Sequence, residues 1–251
     1  MRTLAKLAGL LVAMASATAQ AANSEGPVVF ETQARVDIDA SGHVTAVAPD
    51  AALPAAVGRA IERTVGAWSF RAPMQAGKSV GGVTFVQLEV CAAQVDGDFQ
   101  LALGFGGNGP RRSGPGAPNP PVEAVIRESG AKLEVTFQVR ANGTAVLEDA
   151  RLLEGNPINA RAFRSAAARW LRESTFEPEQ IGGQPVATRI SFPITYTFGP
   201  MTPQLTAERR KREAAQALDA QSALCQGALQ QKAGDPRAVS LDSAFELLSS
   251  G

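Results

Sequence analysis

The feature that most constrains this chain is an internal repeat, in which hydrophobic spacing switches from every second residue to every third or fourth, and does so twice. In the first copy Ala34, Val36 and Ile38 alternate with polar residues and Ser41-Gly42 supplies a tight turn; either Val44, Ala46 and Ala48 or Thr45 and Val47 then begin a second strand. In the second copy Leu133, Val135, Phe137 and Val139 alternate in the same way. There Asn142-Gly143 is the dipeptide that best tolerates the positive φ angles of a type I′ turn. Both stretches predict antiparallel hairpins.

Helical spacing follows each hairpin. Val57, Ile61, Val65 and Trp68 fall on one face, with Asp50 upstream as a cap and Pro54 near the start. Later, Asn156-Pro157 fits an N-cap and first helical position, and Ile158, Ala162, Phe163, Ala166, Ala167 and Trp170 form an apolar stripe. Both helices run into one closing phrase: Trp68, Phe70, Pro73, Gly77, Lys78 and Val80, then Phe176, Pro178, Gly183, Gln184 and Val186. A last strand follows through Val83, Phe85, Val86, Leu88 and Val90, and through Ile190, Phe192, Ile194, Tyr196 and Phe198. Pro193 cannot donate to a ladder, which predicts a sheet edge or a bulge there. The expected fold is α+β, with two ββαβ modules over residues 28–92 and 122–199. Each would be a three-stranded antiparallel sheet backed by one helix. A module of this size is thinly stabilised alone, and pairing two copies or docking a further helix relieves that.

Between the copies, residues 93–121 are expected as a linker, because Gly106, Gly107, Gly109, Pro110, Gly114, Gly116, Pro118, Pro120 and Pro121 cannot bury a core. No Gly-Lys-Ser/Thr ending or helix start accompanies these glycines, which argues against a phosphate cradle. From 202 to 233 the pattern predicts a long helix with Ala214, Leu218, Gln221, Cys225 and Leu229 along one stripe. The basic run from Arg209 to Arg212 is flanked by Glu208 and Glu213 and reads as a solvated face. The tail, 234–251, includes a short candidate helix through Leu241, Phe245 and Leu248.

The first residues set the compartment. Arg2 and Lys6, an apolar run from Leu7 to Ala15, and Ala19-Gln20-Ala21 are the three parts of a secretory signal peptide over 1–21. An uncleaved anchor is the rival reading, but a spanning helix needs about 20 strongly apolar residues, and small Ala and Ser residues dominate after Val12. The expected location is therefore the periplasm. Formal net charge is zero and turns slightly negative once the leader is removed, so no positive field gathers nucleic acid. Cys91 and Cys225 are the two cysteines. In an exported chain they can form a disulfide, worth about 4–5 kcal/mol for a loop this long if unstrained; two separately buried thiols are the alternative.

The order of hairpin, helix, Trp68-x-Phe70-x-x-Pro73, Gly77-Lys78-x-Val80 and final strand resembles the C-terminal domain of the TonB energy transducers. The resemblance covers Ala34 to Val90 and Leu133 to Phe198. It implies a periplasmic domain that recognises a short segment of an outer-membrane receptor by adding a strand to its sheet. The chain lacks that family's long Pro-rich spacer, and the Tyr-Pro pair that usually opens the domain is missing from both copies. The resemblance therefore implies a soluble relative and not a tethered motor. The strand-addition edge is placed on Ile190, Phe192, Ile194 and Tyr196.

Chemistry has little to stand on. His43 is the only histidine and follows Gly42 in a turn, and no CxxC, HExxH or Gly-x-Ser-x-Gly motif is present. Cys91 has no neighbouring base in sequence, and Asp37/Asp39 and Asp96/Asp98 are ordinary hairpin or loop charges. The expectation is a non-enzymatic protein without metal or cofactor, whose partner is an unidentified protein or peptide such as an outer-membrane receptor. A structural or scaffold protein of the cell envelope, its modules packed on each other or as a homodimer, is the alternative.

Overall fold

The computed structural model describes residues 28–95, 98–114, 116, 118–126, 130–196 and 239–250. The expected signal peptide and the expected helix over 202–233, with Cys225, lie outside the described residues. The fold is mixed α+β, and its sheets are antiparallel.

Alternation in β1 (Val28–Ile38) buries Ala34, Val36 and Ile38 and pairs the strand with β2 (Val44–Pro49). Their turn is held by Asp39, whose Oδ1 accepts from the Ser41 and His43 amides at 2.8 and 3.0 Å. Asp50, expected to cap the helix, closes a separate turn instead, accepting from the Ala52 amide. Helix α1 (Ala55–Gly66) starts after Pro54 without a side-chain cap and buries Val57, Ile61 and Val65. Three short strands follow: β3 (Ser69–Arg71), β4 (Met74–Gln75) and β5 (Lys78–Ser79). Next comes β6 (Gly82–Val95), antiparallel to β1 over its length from Gly82 to Ala92.

The stretch expected as an irregular linker is largely strand. β7 (Asp98–Gly109) doubles back on β6, and β8 (Arg111–Ser113) continues away from it. The glycine and proline content hid a period-two pattern in Leu101, Leu103 and Phe105, which pack on the first core. Gly106 has no cross-strand partner, so the glycines there serve a bulge between Gln87 and Leu88.

After the one-turn α2 (Val122–Ile126), β9 (Ala131–Val139) buries every second residue and pairs with β10 (Ala145–Gly155). Asn156 accepts from the Ile158 amide at 3.0 Å, but the first turn, Pro157–Asn159, is a 3-10 turn. Ile158 consequently falls off the expected stripe and is 75 % exposed. Helix α3 (Ala160–Glu173) buries Phe163, Ala166, Ala167, Trp170 and Leu171. β11 (Thr175–Glu177), β12 (Gln180–Ile181), β13 (Gln184–Pro185) and β14 (Thr188–Tyr196) complete this region.

The tail contradicts its expected helix. It forms β15 (Val239–Ser240) against β14 and β16 (Glu246–Ser249) against β3, with Phe245 only 2 % exposed in the first core. Burial of one aromatic between two strand pairings outweighs the weak helical spacing of Leu241, Phe245 and Leu248.

Two hydrophobic cores result, one under α1 and one under α3. They are joined by exchanged strands. β8, which follows the first core, pairs with β11 beside the second, and β16, which follows the second, pairs with β3 beside the first. The β12–β13 hairpin also extends the first sheet, through Gln180 and Ile181 against Val83 and Gly82. A Cβ on Gly82 would lie 1.9 Å from the Gln180 carbonyl oxygen, so the two backbones meet only because this residue has no side chain.

Candidate functional site

The side chains named for strand addition point into the second core. Ile190, Ile194 and Tyr196 are buried, Phe163 stacks on Tyr196 with ring centroids 5.1 Å apart, and Trp170 lies 5.2 Å from Phe192. Burial pushes the Tyr196 hydroxyl up to about 12. What faces outward from β14 is the backbone of the alternate residues. The Arg189 amide donates to Asp242 Oδ1 at 2.6 Å and its carbonyl accepts from the Leu241 amide at 2.9 Å. By the two-residue period, Ser191, Pro193 and Thr195 also turn their main-chain groups outward, while Thr188, Ile190, Phe192, Ile194 and Tyr196 bond to β9.

Pro193 therefore lies where its missing N–H leaves the β9 ladder intact, on an edge strand. β15 pairs with Ile190 and Ser191, and among the described residues nothing pairs with this side of β14 from Phe192 to Tyr196. An incoming strand would find a carbonyl at Pro193 and both a donor and an acceptor at Thr195. A cleft of about 340 Å³ adjoins this edge, lined in part by Gln33, Gln87, Asn108, Phe192 and Pro193. The final strand of the first region offers no such edge, because its outer side pairs with β12 at Gly82 and Val83 and with β7 from Phe85 to Val95.

A second group of residues was missed in the sequence. Glu179, fully buried, accepts from Thr84 Oγ1 at 2.6 Å, Ser243 Oγ at 2.7 Å and Thr188 Oγ1 at 3.0 Å. Asn108 Nδ2 donates to Ser243 Oγ and to the Phe245 carbonyl. Both sheets and the tail thus converge on one carboxyl group. Burial raises its pKa above the ordinary 4.5, and the three hydroxyl donors oppose that rise. The one signal in the sequence is a break in the repeat, since Glu179 stands where the first copy has Pro73.

His43 is an exposed turn residue, its Nδ1 2.8 Å from Ser41 Oγ. Hydrogen bonds from Ser41 and from the His43 amide lower the pKa of exposed Asp39. Cys91 is fully buried beside Val29 and Ala102 and is disulfide-bonded, and the chain's other cysteine lies outside the described residues. Among the described residues no cluster of three or more histidine, cysteine or acidic side chains could hold a metal, and no helix is long and apolar enough to cross a membrane. Compared with protein-family models and with curated proteins, the chain matches none.

Proposed function

We propose that this chain is a non-enzymatic, exported binding protein of the cell envelope. In this reading two copies of a ββαβ module resembling the TonB C-terminal domain are joined by exchanged strands, and a partner peptide adds along β14. The observation that carries it is the stretch from Phe192 to Tyr196, which has no strand partner among the described residues.

Matched contacts support the two-copy part. The Phe70 amide donates to the Gly42 carbonyl at 2.8 Å, and the Phe176 amide to that of Gly143 at 3.2 Å. Val80 and Val186 donate in the same way to Pro73 and Glu179, at 3.0 and 2.9 Å. Each closing phrase folds as a two-residue hairpin with positive φ at both turn positions, Ala76-Gly77 and Gly182-Gly183. A periplasmic location and a receptor as partner belong to the same proposal, as does a bond from Cys91 to Cys225.

Amide hydrogen exchange tests it. The Thr195 amide should exchange rapidly in the free protein and become protected when partner is added from outer-membrane extract, while Ile194 and Tyr196 stay protected throughout. Slow exchange at Thr195 in the free protein would instead favour the scaffold reading. That reading draws support from the full coverage of β6 and from the docking of β16 on β3.

A further inference from the structure

We infer that the groove between α2 and the first turns of α3 docks an acidic, apolar peptide segment of a partner protein. This surface is separate from the β14 edge and stands or falls independently of it.

The groove has a volume of about 560 Å³, and its lining includes Val122, Glu123, Ile158, Asn159, Arg161 and Arg169. Val122 and Ile158 are 69 % and 75 % exposed, so two large aliphatic side chains stand in water along it. Asn159 is only 3 % exposed, yet its Nδ2 has no hydrogen-bond partner among the described residues, and its side chain makes no capping bond to α3. A buried donor left unpaired is destabilising, and folded proteins seldom tolerate one. Its persistence in the lining of a groove is accounted for by an acceptor that arrives with a ligand, once the Asn159 side chain rotates to bring its covered Nδ2 to the groove surface.

Charge selects the ligand. Arg161 and Arg169 are exposed and form no ion pair among the described residues, whereas Arg164 of the same helix pairs with Asp149 at 3.2 Å. Among the described residues lining the groove Glu123 is the only acidic one, against Arg161 and Arg169, so their summed charge is positive. Eight residues of helix separate the two arginines by about 12 Å, the span of about four residues of extended chain. A single lipid headgroup presents charge at one point. An extended peptide supplies carboxylates at the required spacing, a main-chain carbonyl for Asn159 Nδ2, and aliphatic side chains for Val122 and Ile158.

The test uses the full chain and a labelled peptide of alternating glutamate and leucine, about ten residues long and blocked at both ends. A glutamine-leucine peptide serves as control and fluorescence anisotropy as readout. The acidic peptide should bind at least about tenfold tighter than the control. Arg161→Glu combined with Arg169→Glu should abolish that preference without moving the melting temperature, since both side chains are exposed and unpaired. Asn159→Leu should raise the melting temperature while weakening the peptide, because it removes an unsatisfied donor from the free protein. Equal affinity for the two peptides, or an unchanged preference after charge reversal, would overturn the proposal. So would binding to phosphatidylglycerol vesicles that the double variant loses while the peptide is ignored, which would make the surface a membrane contact.

Discussion

In the first region the outer backbone of the last strand is covered along its length, by β12 at Gly82 and Val83 and by β7 from Phe85 to Val95; in the second, β15 meets β14 only at Ile190 and Ser191. The segments that precede these strands share main-chain bonds, from the Phe70 amide to the Gly42 carbonyl and from the Phe176 amide to that of Gly143. The difference comes from the strands that follow or return to them: the long β7 on one side, a two-residue pairing from the tail on the other. Local spacing decides what each element is. Non-repeated chain decides which edges remain open.

The sharpest way to break this comparison is to place proline at matched positions. Gly82 pairs with Ile38 and Thr188 with Val139, so Glu89 corresponds to Thr195. Glu89 lies between Glu31 of β1 and Gly104 of β7, and Glu89→Pro removes a ladder bond whichever neighbour its amide serves. It should cost about 3 kcal/mol or more in chemical denaturation. Thr195→Pro removes an outward amide with no strand partner among the described residues, and should change stability by less than about 0.5 kcal/mol. Equal losses at the two sites would mean that the β14 edge is not open.

Much of the local order was legible in the sequence, because alternation at Leu133 to Val139 and the helical stripe at Phe163 to Trp170 report burial directly. The exchanged strands were not. β8 and β16 are three and four residues long, too short for a period to register, and their partners are distant in sequence. Glycine content concealed β7, since composition weighs Gly106 and Gly107 equally whether they sit in a bulge or in a loop. The strand-addition edge was assigned to Ile190, Phe192, Ile194 and Tyr196, whose side chains face the core. Which backbone groups face outward depends on pairing register, and a single strand does not contain that information.

Glu179 sharpens the comparison through pH, because the matching Pro73 carries no titratable group. Its pKa is raised by burial in the folded chain, so between the unfolded value near 4.5 and the folded value the unfolded chain has released a proton that the folded chain still holds. Rising pH then favours unfolding. The contribution of this group is fully present below the unfolded value and is lost as pH climbs through the folded one. Denaturation at a series of pH values should show wild type falling relative to Glu179→Gln by up to about 1.4 kcal/mol per pH unit. The variant's own baseline is lower if the amide leaves one of Thr84, Thr188 or Ser243 unpaired, but the part of the slope that Glu179 contributes across that window should vanish. Parallel slopes would mean that Glu179 titrates in the folded chain as it does in the unfolded one.

The smallest expected difference concerns the two tryptophans that close the helices. Trp170 Nε1 donates to the Gly116 carbonyl at 2.6 Å, while Trp68 Nε1 is buried without a partner among the described residues. Both rings sit edge-on to a phenylalanine, Trp68 against Phe105 at 5.8 Å and Trp170 against Phe137 at 6.2 Å. Trp→Phe at either site removes similar apolar bulk. Trp170 also packs on Phe192 at 5.2 Å and carries the Arg112 guanidinium over its ring, so the difference between the two losses reports these contacts together with the hydrogen bond. Trp170→Phe should cost about 1 kcal/mol more than Trp68→Phe, because it leaves the Gly116 carbonyl without its donor, whereas Trp68→Phe removes a donor that was already unsatisfied. Parallel unfolding curves of the two variants measure this directly. A larger loss at Trp68 would show that its N–H is paired in solution, and that the segment joining the two regions holds the second core no more firmly than the first.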